Sequence, residues 1–206
     1  MNTIKQLSLL LFFSALIACS LPAMSAEKSP YKLLDKVGHK LFNDIAELSN
    51  EQRQQATVMR ELIKEDLMPY IDYRYTAYKI LGKYVKTASK AQRNAFVEVM
   101  RNYLVDTYAQ ALTKYKNQQV IFEKNKKTGN KRIVTVRTEI VEQGTPTINI
   151  AFKFRKSRRT GKWKAFDMVV EGISLLSSKQ AEITRQIRNS NLDTVIEKLN
   201  KKAKNA

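Results

Sequence analysis

"TINIAFKFRKSRRTGKWKAFDMVVEGISLL" occupies residues 147–176. Its first part alternates, with Ile148, Ile150, Phe152 and Phe154 on one face and Thr147, Asn149, Ala151 and Lys153 on the other. That period of two predicts a strand with one solvated face. A "TG" turn at 160–161 reverses the chain, and the strand that returns breaks the pattern. Phe166, Met168 and Val170 share one parity, while Val169 shares the other with Trp163, Ala165 and the single carboxylate Asp167. Both faces of this strand therefore need cover. A carboxylate on an apolar face calls for a partner, an Arg or a Tyr hydroxyl, or for a bulge that flips parity. Glu171 with Gly172 marks the strand's end.

Working outward, the turn signals "TGN", "GTP" and "TG" separate four strands, at about 118–124, 131–142, 147–156 and 162–170. Short connections between consecutive strands predict an antiparallel meander. Helical spacing of apolar residues precedes them in 31–48 and 50–67, the latter ended by Pro69. A longer helix runs from a Ser89/Gln92 capping box to about 116 and lays Phe96, Val99, Met100, Tyr103, Thr107 and Ala111 along one face. Two helices close the chain, one from a Ser177/Gln180 capping box to about 189 and one at 191–202. Helices grouped on either side of a run of strands indicate an α+β fold, a curved sheet of about four strands wrapped by helices.

Residues 1–26 have the form of an export signal: Lys5 precedes an apolar run, Leu7 to Ala18, too short to span a membrane, and small residues follow Pro22. Cleavage near "AMSA" leaves a soluble periplasmic protein, a single domain over 27–206, and this is the favoured route. The alternative is acylation at Cys19, because "LIAC" at 16–19 matches a lipoprotein box. Cys19 is the sole cysteine, so a chain without its leader has no disulfide or thiol chemistry.

The formal charge is +18. It concentrates in 123–132, 153–164 and 197–204. Basic runs suit polyanions, and outside the cytoplasm these are lipid head groups and lipopolysaccharide rather than nucleic acid. Solvated hairpin tips are the plainer account of each run.

Catalytic constellations are missing. His39 is the one histidine and lies on an amphipathic helix, so neither a Ser/His/Asp triad with a spare imidazole nor a zinc cluster can be assembled. The glycines are scattered, with no phosphate loop. Asp167 and Glu171, four residues apart on an extended chain, would stand about 13 Å apart, too far for a cooperating acid and base. No catalytic residue, metal or cofactor is expected.

Tyr70, Tyr73, Tyr75, Tyr78 and Tyr84 make an amphipathic wall. The sheet's inward residues, Val134, Val136, Ile140, Ile148, Ile150, Phe152 and Phe154, meet either the helices or a ligand held between. At this point "LMPYID" (67–72), "LGKYVKTAS" (81–89) and "DMVVEGISLL" (167–176) together resemble the MlaC, or toluene-tolerance, family of phospholipid carriers. The likeness runs from about Pro30 to about Lys198.

The resemblance implies an NTF2-like α+β fold with an apolar pocket holding phospholipid tails as cargo. It implies a monomeric shuttle: a periplasmic carrier moving phospholipid between an outer-membrane lipoprotein complex and an inner-membrane ABC transporter, which preserves outer-membrane asymmetry. Residues matching the family's pocket are Tyr75, Leu81, Phe96, Met100 and Tyr103 from the helices, and Val136, Ile150, Phe152, Val169, Ile173 and Leu175 from the sheet and its exit. The rivals are a basic surface binder of lipopolysaccharide or nucleic acid, and an NTF2-like lipid-modifying enzyme. The first needs aromatics among its lysines, where only Phe154 and Trp163 stand; the second needs a base, for which Asp167, Glu171 and His39 are the candidates.

Overall fold

Helix α1 (Pro30–Glu47) starts where Ser29 accepts a hydrogen bond from the Lys32 N–H and Pro30 takes the first helical position, which needs no donor there. The computed structural model describes residues 29–204, so the leader and Cys19 lie outside the described residues. A Ser49/Gln52 capping box opens α2 (Asn50–Gln54), and α3 (Ala56–Leu62) follows. The single helix expected over 50–67 is thus divided, because Gln55 is extended (φ −77°, ψ 111°). Beyond α3 the chain widens into a π turn, Ile63–Leu67, and then tightens into a 3-10 turn, Met68–Tyr70. Pro69 has no N–H for the Glu65 carbonyl, so the regular helical ladder cannot continue through it.

Asp72 caps α4 (Tyr73–Leu81), and the Ser89/Gln92 capping box opens α5 (Lys90–Leu112). The meander then runs β1 (Gln119–Phe122), β2 (Ile133–Val141), β3 (Ile148–Lys156), β4 (Trp163–Val170) and β5 (Ile173–Ser174), antiparallel and in that spatial order. The fifth strand, two residues long, exceeds the expected four. It forms because Glu171 (φ 47°) and Gly172 (φ 81°) turn the chain back on β4. Helices α6 (Leu175–Asn189) and α7 (Leu192–Lys204) end the chain. Ser174, not Ser177, caps α6: the Ser177 N–H donates to Ser174 Oγ at 3.1 Å, so the helix begins a turn earlier than expected.

Two cores result. One lies between the sheet and α1, α3 and the second half of α5, with Val134, Val136, Phe154, Trp163 and Ala165 facing Leu33, Leu41, Met59 and Val105. The other is helical: Ile80 and Leu81 of α4, Phe96 and Met100 of α5, Ile183 of α6 and Val195 of α7. Helix α5 changes partner midway. Its apolar residues form two stripes instead of the single face expected.

The irregular strand is explained by a bulge. Phe154 pairs with Ala165 but Lys153 pairs with Asp167, which leaves Phe166 as the extra residue. Ala165 and Met168 consequently both lie on the α1 side of the sheet, while Phe166 packs against the helical core and meets Tyr75 edge-on at 5.2 Å. Asp167 is buried and accepts from Lys153 Nζ (3.0 Å), Ser174 Oγ (2.8 Å) and the Leu176 N–H (3.1 Å). Its partners are therefore a lysine, a serine and a helix terminus, in place of the Arg or Tyr expected.

Candidate functional site

Helix α1 presents apolar residues in adjacent pairs: Leu33 and Leu34, Val37 and Gly38, Leu41 and Phe42. Repeating every four residues, the pairs make a face twice as wide as a single packed stripe. Leu33, Val37 and Leu41 pack into the first core, and the whole double row also walls a cavity of about 330 Å³ under the sheet. The opposite wall comes from the inward positions of the strands: Val120 and Phe122, Thr138 and Ile140, Ile148 through Phe154 on alternate residues, and Ala165 with Met168. Tyr108, Leu112 and Tyr115 close one side, and Leu67, Tyr70 and Ile71 another.

Gly38 makes this geometry feasible. A Cβ there would stand 2.3 Å from Phe122 Cζ, so only glycine lets the ring lie against α1. Phe122 also meets His39 at 5.1 Å, and His39 is otherwise an exposed residue beside Asp35.

The cavity has one closed and one open end. Phe154, Ala165 and Leu33 are buried at the first. Ala111, Lys114 and Ile148 are exposed at the second, where α5 gives way to β1 and β2 turns into β3. The cationic loops 123–132 and 157–162 lie at the closed end, because Ile133 pairs with Arg155 and Lys156 with Trp163. Reciprocal bonds join them there: the Lys156 N–H donates to the Arg132 carbonyl at 2.8 Å, and Arg132 Nη2 donates to the Lys156 carbonyl at 3.0 Å.

Of the residues matched to the family's pocket, the structure places Ile150 and Phe152 in the cavity wall. Val136 is fully buried in the first core beside it. Leu81, Phe96 and Met100 are fully buried in the helical core, with Tyr103 against it and Lys179 Nζ 4.2 Å from the Tyr103 ring. Tyr75 lies on the sheet's other side, its ring stacked by the Arg155 guanidinium at 4.1 Å. Val169 shares that side, opposite Ala151. Ile173 and Leu175 are 62% and 38% exposed. The separation follows from α5's change of partner and from the bulge, which send these residues to different layers. Sequence reasoning missed the α1 wall, for which the doublets were the available signal.

Chemically the cavity is a hydrocarbon site. Its ionisable liners are tyrosines and Lys114 at the mouth. Burial, aided by the negative charge of Asp167 and by Tyr103, pushes the Tyr108 hydroxyl up to about 12, so it stays neutral. Asp167 and Glu171 serve separate partners: Glu171 accepts from the Asn149 N–H at the strand end. Among the described residues no cluster of His, Cys, Asp or Glu could hold a metal ion, and no helix is long and apolar enough to cross a membrane.

A protein described as intermembrane phospholipid transport system binding protein MlaC, from Haemophilus influenzae, is 34% identical over 179 residues, covering 86% of this chain and 84% of its own. A phospholipid-binding protein from Ralstonia solanacearum, solved in complex with a phospholipid, shares the fold with a TM-score of 0.75 at 17% identity, over 86% of this chain and 98% of that one. The family model described as MlaC protein matches residues 35–201. The chain belongs to the MlaC family.

Proposed function

We propose that this protein is a periplasmic phospholipid carrier that binds acyl tails in the cavity between α1 and the sheet and moves lipid between the two membranes of the envelope. The observation that carries the reading is an apolar chamber with a single exposed end. Taking a diacyl lipid out of a bilayer exposes roughly 30 methylenes, at ~0.8 kcal/mol each a cost on the order of 24 kcal/mol. Only enclosed hydrocarbon returns a sum of that size; a surface cation contributes ~1 kcal/mol.

Tails and charges therefore have separate roles. The cavity retains cargo, with tolerance of head-group identity, while the basic loops, at the end away from the mouth, act through their long-range field on the rate of encounter with anionic surfaces. Kinship with a protein named for intermembrane phospholipid transport supports this assignment. Partners in this scheme are an inner-membrane ABC transporter and an outer-membrane lipoprotein complex, and the outcome is maintained outer-membrane asymmetry. No catalysis and no cofactor are assigned, since no carboxylate, imidazole or thiol lines the cavity among the described residues.

Organic extraction of the purified protein followed by mass spectrometry tests the proposal. Diacyl phospholipid in a fixed ratio to protein is expected. Protein free of lipid after exposure to phospholipid vesicles, or turnover of lipid into product, overturns it.

A further inference from the structure

Thr138 occupies β2 between Val136 and Ile140 on the inward face, where the pattern calls for another branched aliphatic residue. It lines the cavity and is 4% exposed. Its hydroxyl has no hydrogen-bond partner, a condition shared among the described residues by one other buried side-chain atom, Oδ2 of Asp66. A valine of the same shape would avoid the penalty of a buried, unpaired hydroxyl. A turn between staggered χ1 wells exchanges hydroxyl and methyl, so an acceptor inside the cavity can be met without backbone movement.

The level of Thr138 identifies the acceptor. Its pair partner is Ile150, and Phe122 faces it from β1. Two residues further along β2, Ile140 pairs with Ile148, which is 44% exposed at the mouth. Thr138 therefore lies roughly 7 Å inside the rim along the strand. A lipid seated tails-inward with its phosphate at the mouth, near Lys114, brings acyl carbonyl oxygens to that depth. Those oxygens are the acceptors such a ligand carries below its head group.

We infer that Thr138 is a specificity-determining residue, donating a hydrogen bond to an acyl carbonyl oxygen of the bound lipid and so selecting ester-linked over ether-linked chains. The inference rests on the carrier reading. An ether-linked lipid lacks the carbonyl and leaves the hydroxyl unpaired. A free fatty acid also brings a carbonyl, and mass spectrometry distinguishes which species is held.

The test is competition. Purified protein stripped of lipid is offered vesicles of equal parts dipalmitoyl phosphatidylethanolamine and its dihexadecyl ether counterpart, and captured lipid is counted by mass. Wild type is expected to enrich the diacyl form about fivefold, the worth of one net hydrogen bond. Thr138→Val should bring the ratio to about one, Thr138→Ser should keep most of it, and lipid-free Thr138→Val should melt no lower than wild type. Equal capture by wild type, or an undiminished preference in Thr138→Val, overturns the assignment alone. Capture of neither lipid by wild type overturns the carrier reading and this assignment with it.

Discussion

The backbone N–H of Leu176 donates to Oδ1 of Asp167 at 3.1 Å, so a carboxylate on strand β4 caps helix α6. Lys153 Nζ and Ser174 Oγ bind its other oxygen. One buried group thus joins the sheet's bulge, the β5 turn and the helix that covers the second core. Asp167→Ala leaves a lysine, a hydroxyl and a helix end without their acceptor, and should cost about 3 kcal/mol. Urea unfolding measures this; a loss below ~1 kcal/mol would show that water replaces the carboxylate at no penalty.

Position relative to the cavity separates two substitutions that sequence alone treats alike. Ile150 faces the cavity, whereas Ile173 is 62% exposed and outside it. Ile150→Glu should remove co-purified lipid by placing a carboxylate against hydrocarbon. Ile173→Glu should keep lipid at wild-type occupancy and leave unfolding within about 0.5 kcal/mol, as expected of an exposed site. Extraction and mass spectrometry of both folded variants decides the matter, and loss from Ile173→Glu alone contradicts the assigned walls.

Lys40 on α1 binds both Asp44 and Asp66, the latter in the π turn. Burial, and then the neighbouring Asp44 carboxyl, raises Asp66 above its ordinary value of 3.8, while the neighbouring Asp66 carboxyl and Lys40 lower Asp44. The raised group holds its proton longer in the folded than in the unfolded chain. Its stabilisation is therefore complete below 3.8 and lost as pH rises through the folded value. The lowered Asp44 acts oppositely, its stabilisation lost as pH falls. Asp66→Asn can still accept from Lys40 and donates to Asp44 without a shared proton. The variant should gain stability relative to wild type as pH rises above about 4. Paired denaturation curves from pH 3 to 7 give the difference; a constant offset across that range refutes it.

Charge reversal in the loops at the closed end, for example Arg158→Glu with Arg159→Glu and Lys162→Glu, should slow lipid transfer to anionic acceptor vesicles and flatten its salt dependence. Cargo occupancy should not change, because the loops lie away from the mouth. Transfer kinetics equal to wild type at low salt would remove the steering role.

Ligand pockets measure roughly 300–1,000 Å³, and the cavity, at about 330 Å³, stands at the lower end of that span. Two palmitoyl chains need more room. Helix α1, like α5, has no backbone hydrogen bond to the sheet among the described residues, so loading with diacyl lipid should increase the distance between spin labels on Lys36 of α1 and Thr135 of β2. Identical label distances in lipid-free and loaded protein would place the expansion elsewhere.

Local order was legible from residue patterns because it is set by short-range chemistry. The Ser89/Gln92 capping box opens α5, turn residues separate the strands, and the break of alternation at 166–168 left a bulge as one of two readings, the one the register shows. Pocket membership was not legible, since apolar periodicity says that a residue is buried and not what buries it. Phe96 and Phe152 look equivalent in sequence; the structure packs one solidly among four helices and sets the other against an unfilled space. Which side of a core is left incompletely filled depends on side-chain volumes brought together from α1, α5 and four strands, and that sum exists only once the chain has folded. The unpaired hydroxyl of Thr138 belongs to the same class: its residue type was in the sequence, and its lack of a partner arose from tertiary packing.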